Sequence, residues 1–182
     1  MELMDRTGRP AITELAKHFC TEERLEWYWI TPEQKPDKVP TSGQLCPEVV
    51  MAIRQAVQGF DAFFSHQAVA LDALNTGRHV LVLTPTASGK TLCYNPAVFQ
   101  ILQGDPTARA LYVFLLNALL ADQVGKLRSM ANAFREQGTD ISVDLLIGGL
   151  GKERRDRIQE HPPQILATNP EMLSWVLNGN AY

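Results

Sequence analysis

Residues 84–91, with the sequence TPTASGKT, have the residue types and the order that bind phosphate groups. In such a loop the backbone N–H groups surround the phosphates, a lysine adds a positive charge and a hydroxyl is offered to Mg²⁺. The glycine lets the backbone approach the ligand closely. We therefore predict a triphosphate site with Mg²⁺, in which Thr91 binds the metal and the phosphates contact Thr86, Ala87, Ser88, Gly89, Lys90 and Thr91.

The loop departs from the strict G-x-x-x-x-G-K-[ST] pattern, because Thr84 takes the place of the first glycine. A structural turn that happens to contain a lysine is the alternative interpretation. The flanking sequence favours phosphate binding, since the apolar run at residues 79–84 predicts a strand before the loop. An apolar segment that continues to Leu102 predicts a helix after it.

The chain beyond residue 47 alternates apolar runs of strand length with longer amphipathic stretches, as a series of βαβ units does. The predicted strands comprise residues 79–84, 108–116, 141–147 and 164–168. Each is rich in Val, Leu and Ile with little polar alternation, which predicts strands covered on both faces. The predicted fold class is α/β, a three-layer sandwich with a mostly parallel sheet.

Residue spacing also predicts two helices. One ends at Gly138 and has a single apolar stripe, which comprises Leu120, Val124, Leu127, Ala131 and Phe134. The other is capped by Ser65 and ends at Gly77. Its shared apolar face comprises Val69, Ala70, Ala73 and Leu74.

Prolines at positions 32, 36, 40 and 47 predict an extended connector. It separates an N-terminal appendage with connector, residues 1–46, from a main domain at 47–182. The three cysteines are widely spaced and odd in number, which argues against a disulfide framework or a zinc site. The sequence lacks a bilayer-spanning apolar run and starts without a signal-peptide pattern, so we expect a cytoplasmic protein without a membrane partner.

The formal net charge is −3 and neither half of the chain is strongly basic. Contact with a nucleic-acid backbone must therefore be local. The best local candidate is the basic run of Lys152, Arg154, Arg155 and Arg157. A solvated helix face is the alternative interpretation of this run.

The residues around the loop resemble those of a known family. His66 and Gln67 precede the loop, which continues as LCYN to Asn95. These motifs are similar to those of superfamily 2 helicases with DEAD/DEAH-type motors. They are most similar to the motifs of bacterial DNA-repair helicases of the mitomycin-repair kind with a DUF1998-like region. The likeness covers residues 45–177. It implies a P-loop NTPase lobe of RecA-like fold, ATP as cofactor, and nucleic acid as partner, with DNA favoured over RNA.

The resemblance also implies roles for individual residues. Gln67 would read the adenine edge, with Phe63 or Phe64 near the base, whereas a helix-capping amide is the alternative role. Segments after three predicted strands would contact the nucleic acid, through Asn117, Gly148, Gly149, Thr168, Asn169 and Pro170. Helix capping is the alternative for Asn117 and Thr168, and turn geometry is the alternative for the two glycines.

One family element is present only in part. Leu115 and Leu116 stand where the family has Pro-Thr before the Ala-Leu core. A threonine hydroxyl at a helix start can donate to a phosphate, whereas leucine offers only apolar contact.

The acidic residues of an ATP-hydrolysing site are missing from the sequence, and we assign no catalytic residue. No Asp-Glu pair occurs, and the chain stops at Tyr182, before the family's acidic motif and second lobe. We expect a truncated front part of a helicase motor, which binds ATP and nucleic acid without hydrolysing ATP alone and leaves residues 79–84 poorly covered. The alternatives are a non-catalytic nucleotide- or protein-binding fragment of a shortened gene, and a P-loop kinase, whose acidic base and arginine-rich lid are not evident.

Overall fold

The computed structural model describes residues 37–39 and 45–179. Six helices lie in this part of the chain: α1 Pro47–Ala56, α2 Ser65–Asn75, α3 Asn95–Gly104, α4 Asn117–Glu136, α5 Lys152–Glu160 and α6 Pro170–Leu177, with a 3₁₀ helix at Lys90–Cys93. The strands are β1 Lys38–Val39, β2 Phe63–Phe64, β3 Ala110–Val113, β4 Val143–Leu146 and β5 Ile165–Thr168. The appendage before the connector lies outside the described residues, so its division from the main domain at residue 46 stays a prediction.

A parallel sheet in the order β3-β5-β4 is the centre of the fold. Ala110 and Val143 both pair with Ile165, one from each side of β5. Parallel neighbours need crossover connections, which α4 and α5 provide in the chain order β3-α4-β4-α5-β5. The predicted α/β class is confirmed, and the strands at 108–116, 141–147 and 164–168 form with shorter bounds.

Helix α4 supplies much of the core. All five residues of its predicted stripe are at most 4% exposed, and Gly138 follows the helix at φ +89°, as a left-handed helix end requires. Val49, Ala52 and Ile53 of α1 belong to the same buried cluster. Phe134 stacks on Phe99 of α3 with ring centroids 5.4 Å apart. In the part of the chain that the structure describes, no helix is long and apolar enough to cross a membrane.

The strand predicted at residues 79–84 is wrong. The segment has no regular secondary structure, and Leu81 and Leu83 are 83% and 84% exposed. A strand needs a neighbour for its backbone hydrogen bonds, and none of the described strands pairs with this segment. The exposure agrees with the expectation that these residues are poorly covered.

Three smaller predictions are also wrong. Leu111 and Val113 of the edge strand β3 are 54% and 43% exposed while Tyr112 is buried, so β3 is covered on one face rather than on both. In α2 the predicted apolar face is displaced, because Val69 is 69% exposed and Gln67 is buried instead. The cap of α2 is Phe64 rather than Ser65, since the Gln67 side chain accepts a hydrogen bond from the Phe64 N–H.

Candidate nucleotide and nucleic-acid sites

Two side chains at the start of α2 hydrogen-bond to backbone carbonyl groups of the predicted phosphate loop. Gln67 Nε2 donates to the Gly89 carbonyl over 3.0 Å, and His66 Nε2 lies 3.1 Å from the Ser88 carbonyl oxygen. The Gln67 side chain is 1% exposed, so the first of these bonds is shielded from water. The loop is therefore fixed to the helix that precedes it along the chain.

These two bonds decide where the loop amides point. A trans peptide unit places its C=O and its N–H on opposite sides, and the described chain contains no cis peptide bond. With the Ser88 and Gly89 carbonyls directed at α2, the N–H groups of Gly89 and Lys90 point away from it. Within the described residues neither N–H donates to a backbone carbonyl. Two adjacent amide donors are thus available for an anion.

Gly89 occupies a position that strongly favours glycine. Its φ is +74°, and a Cβ atom there would lie 2.6 Å from Gln67 Nε2. Ala87 also has a positive φ, of 63°. Such left-handed positions make the chain turn tightly, as a loop that surrounds a phosphate must do.

Lys90 and Thr84 close the loop on itself. Lys90 Nζ donates to the carbonyls of Thr84 and Pro85 over 2.7 Å and 2.5 Å, which leaves one of the three ammonium donors for another acceptor. The Thr84 and Ser88 hydroxyl oxygens lie 2.6 Å apart. Thr84, which stands where the strict pattern has glycine, therefore makes a side-chain bond across the loop.

The helix after the loop starts later than predicted. Residues Lys90–Cys93 form a single 3₁₀ turn, Tyr94 has φ −136°, and α3 begins only at Asn95. Thr91 lies half-buried in the 3₁₀ turn. Its binding to Mg²⁺ stays a prediction. Among the described residues, no group of three His, Cys, Asp or Glu side chains could hold a metal ion.

Gln67 has a structural role whether or not it reads a base. Its Oε1 accepts from the Phe64 N–H over 2.9 Å while its Nε2 holds Gly89, which matches the helix-capping alternative. The adenine-reading role stays a prediction. Phe63 is fully buried, whereas Phe64 is half-buried and stacks on His66 with centroids 5.9 Å apart, so Phe64 is the ring that a base can reach.

The residues predicted to contact nucleic acid come together at the carboxyl end of the parallel sheet. Asn169 Nδ2 donates to Asn117 Oδ1 over 2.8 Å, which joins the segment after β5 to the start of α4. Thr168 Oγ1 donates to the Leu146 carbonyl at the end of β4 over 2.7 Å. Ligands of open α/β sheets bind at this end. The fold thus places residues that are distant in sequence together where a ligand is expected.

The structure tests the capping and turn alternatives for these residues one at a time, and their contacts with nucleic acid stay predictions. Asn169, not Thr168, caps α6, since its Oδ1 accepts from the Met172 N–H over 2.7 Å, and Pro170 is the first residue of that helix. Asn117 makes no side-chain cap for α4. Gly148 and Gly149 form a turn after β4, and Gly149 has φ +80°. Turn geometry alone accounts for Gly149.

Two of the four basic residues on α5 contact other side chains, and the other two are exposed. Arg154 Nη2 lies 2.5 Å from Asp144 Oδ1, and Arg128 lies 3.6 Å from the same oxygen. Arg155 lies over the ring of Trp175 on α6, with its guanidinium carbon 5.9 Å from the ring centroid. Lys152 and Arg157 are exposed. The run is therefore only in part a solvated face.

Trp175 was not among the residues predicted from the sequence. This residue lines a cavity of about 350 Å³ together with the predicted nucleic-acid residues Asn117, Gly148 and Asn169; Arg155, Glu171 and Met172 complete the lining. Its position on the helix that begins at Pro170 was the available signal, because that helix follows a predicted contact segment. The sequence alone could not show that α5 delivers Arg155 to its ring.

A parallel α/β sheet, a phosphate loop anchored by the preceding helix and polar residues at the carboxyl end of the strands define a P-loop nucleotide-binding domain. Residues 64–181 match the DEAD/DEAH box helicase family, and the chain belongs to that family. The predicted resemblance is thereby confirmed, and so is the RecA-like fold.

Relatives and solved structures agree with this assignment. The ATP-dependent helicase YprA of Bacillus subtilis is 32% identical over 91% of this chain, and the chain covers 21% of YprA. The crystal structure of the DUF1998 helicase MrfA bound to DNA superimposes with a TM-score of 0.71 at 31% identity, over 93% of this chain and 22% of that one. The Mycobacterium smegmatis helicase Lhr bound to ssDNA and AMP-PNP gives 0.65 at 28% identity, over 79% of this chain and 19% of that one. The chain thus spans about a fifth of the length of these relatives.

Proposed function

We propose that this chain is the nucleotide-binding part of an ATP-dependent DNA helicase motor. The loop at residues 84–91 binds ATP with Mg²⁺, and the carboxyl end of β3, β4 and β5 binds a nucleic-acid strand, DNA in preference to RNA. We further propose that the protein acts in the cytoplasm. The observation that carries it is the pair of N–H groups, on Gly89 and Lys90, which α2 directs away from itself.

The electrostatics of the loop support the nucleotide half of the proposal. The two amides and the remaining ammonium donor of Lys90 are hydrogen-bond donors, which suits the oxygens of a phosphate chain. In the described structure Lys90 Nζ bonds the carbonyls of Thr84 and Pro85. To reach a phosphate it must use its third donor or exchange one of these bonds, so binding rearranges this side chain.

The hydrogen bonds at the sheet edge support the nucleic-acid half. Thr168 and Asn169 are 1% and 7% exposed and are held by Leu146 and Asn117, so the edge is preorganised rather than loose. Within the described residues, the amide nitrogen of Asn117 and the second N–H of Asn169 remain as donors. Donors held at a strand edge are suited to phosphate and base oxygens.

We propose that the chain alone binds ATP without hydrolysing it. Hydrolysis in P-loop motors needs a carboxylate that holds Mg²⁺ and residues that position the attacking water. The sequence contains no Asp-Glu pair. The described residues also lack a metal-binding cluster of acidic side chains.

Isothermal titration calorimetry with MgATP tests the nucleotide half. Lys90→Ala should weaken binding by about 10- to 150-fold, because a charge-assisted contact contributes about 1.5–3 kcal/mol. Lys126→Ala is the matched control, since Lys126 is an exposed lysine that pairs with Asp122 on α4. Binding that is equally tight in the parent chain and in Lys90→Ala contradicts the assignment of the loop.

A further inference from the structure

Trp175 presents an aromatic surface next to the proposed nucleic-acid edge. It lies on α6, five residues after Pro170 and half-buried, and it lines the cavity that also contains Asn117 and Asn169. Arg155 of α5 lies over its ring at 5.9 Å, within the range of a cation–π contact. Two elements that are separate in sequence thus fix the indole at this position.

Two amide side chains line the cavity, and the oxygen of each already accepts one hydrogen bond. Asn117 Oδ1 is occupied by Asn169 Nδ2, and Asn169 Oδ1 is occupied by the Met172 N–H. The amide N–H groups that remain can donate to a ring nitrogen or a carbonyl oxygen, and every nucleobase carries at least one of these acceptors. The volume of about 350 Å³ lies within the usual range of about 300–1,000 Å³ for small-ligand sites.

The charges of the cavity favour a base over a phosphate. Arg155 and Glu171 are its charged residues, so their formal charges cancel. The Arg155 guanidinium is already placed on the indole ring, and the Glu171 carboxylate repels an anion. An uncharged aromatic base needs no free guanidinium and is not repelled by the carboxylate. Stacking on Trp and Arg surfaces is the usual way in which proteins bind single-stranded nucleic acid without sequence preference.

We propose that Trp175, held by Arg155, stacks on an unpaired nucleobase of the bound strand. This rests on the proposed function, because it assumes that the strand lies along the same edge of the sheet. It adds a contact to a base, whereas the residues predicted from the sequence would contact the strand through its backbone. Arg155 acts here as a positioning residue for the indole.

The test compares two single strands of equal length and charge: a thymidine oligonucleotide and an all-abasic strand of the same backbone. Fluorescence anisotropy gives the affinity ratio between them for the full chain and for Trp175→Leu. The thymidine strand should lose about 5- to 150-fold in affinity for the variant, the range measured for loss of one base-aromatic stack, while the abasic strand is unaffected. Trp175→Phe should keep most of the ratio, because phenylalanine also stacks.

The outcomes separate this inference from the proposed function. Equal losses for both strands, or no loss for either, overturn the stacking role and leave strand binding intact. Failure of the parent chain to bind the thymidine strand overturns both. If Trp175→Leu does not fold, the parent chain still decides, since affinities for thymidine and abasic strands that differ less than about fivefold exclude a stacked base.

A spectroscopic measurement gives an independent readout. The chain has three tryptophans, and Trp27→Phe with Trp29→Phe leaves Trp175 as the single indole. Direct stacking should quench its fluorescence with the thymidine strand and not with the abasic one at equal saturation. Identical spectra with the two saturating strands contradict the contact.

Discussion

Replacement of Gln67 tests how the loop is held. Its side chain makes two buried hydrogen bonds, one from the Phe64 N–H and one to the Gly89 carbonyl. Gln67→Leu removes both and leaves two backbone groups without partners. At about 0.5–1.5 kcal/mol for each bond and more for each unpaired buried group, the free energy of unfolding should fall by about 2–4 kcal/mol.

Gln67→Glu isolates the bond to the loop. The introduced carboxylate still accepts from Phe64, but it cannot donate to Gly89 and it is buried. Burial and the facing carbonyl oxygen raise its pKa above the ordinary value of about 4.3, because both disfavour the charged form. When protonated, the carboxyl donates to Gly89 again. The stability deficit relative to the parent chain should therefore be small in acid and should grow as the pH rises through the raised pKa.

Urea denaturation followed by circular dichroism between acid and neutral pH measures this difference. Calorimetric titration with ATP and with GTP separates the two roles of Gln67. If it positions the loop, Gln67→Leu weakens both nucleotides equally; if it also reads adenine, the preference for ATP is lost as well. An unfolding free energy for Gln67→Leu within about 0.5 kcal/mol of the parent would refute the structural role.

Two further predictions concern the core and the chemistry. Burial raises the pKa of the Tyr112 hydroxyl above its usual 10.0. Above pH 10 this hydroxyl therefore ionises in the unfolded chain while it stays protonated in the folded one, and the folded state loses stability as the pH rises. Tyr112→Phe should flatten the alkaline part of a stability–pH curve. The same change should cost about 1–3 kcal/mol at neutral pH, because the buried Asn95 Oδ1 loses its 3.0 Å partner, and thermal melts that show no loss would contradict this. Phosphate release from ATP by this chain alone should be undetectable with or without DNA; turnover near about 1 s⁻¹ that Lys90→Ala abolishes would contradict the missing-carboxylate argument.

The helical periodicity predicted α4 well, because five apolar residues on one face leave few ways to bury them. The phosphate loop could also be located from its residues. Its anchoring by His66 and Gln67 could not, since that depends on tertiary contacts across more than 20 positions. Periodicity failed at residues 79–84, where an apolar run has the composition of a strand but no described strand to pair with. It also failed for α2, whose Gln67 is buried for its hydrogen bonds and not for its hydrophobicity.

At the carboxyl end of the sheet, too, some features were predictable from the sequence and others were not. The parallel order β3-β5-β4 brings Asn117, Gly148 and Asn169 to one end. The alternation of strands and helices predicted the parallel sheet, and the family resemblance selected these residues. The contact between Arg155 and Trp175 was not predictable. It depends on the relative placement of α5 and α6, which no local pattern encodes.

A ¹H–¹⁵N NMR titration of the full chain with Mg²⁺ and the non-hydrolysable analogue AMP-PNP tests the assignment of the phosphate loop most directly. The amide signals of Ala87, Ser88, Gly89, Lys90 and Thr91 should shift together and saturate at one affinity, with the largest changes at Gly89 and Lys90, whose N–H groups point away from α2. The Lys90→Ala chain should show the same pattern only at higher ligand concentration. Shifts confined to other parts of the chain, or loop amides that do not move at saturation, would contradict the phosphate-loop assignment.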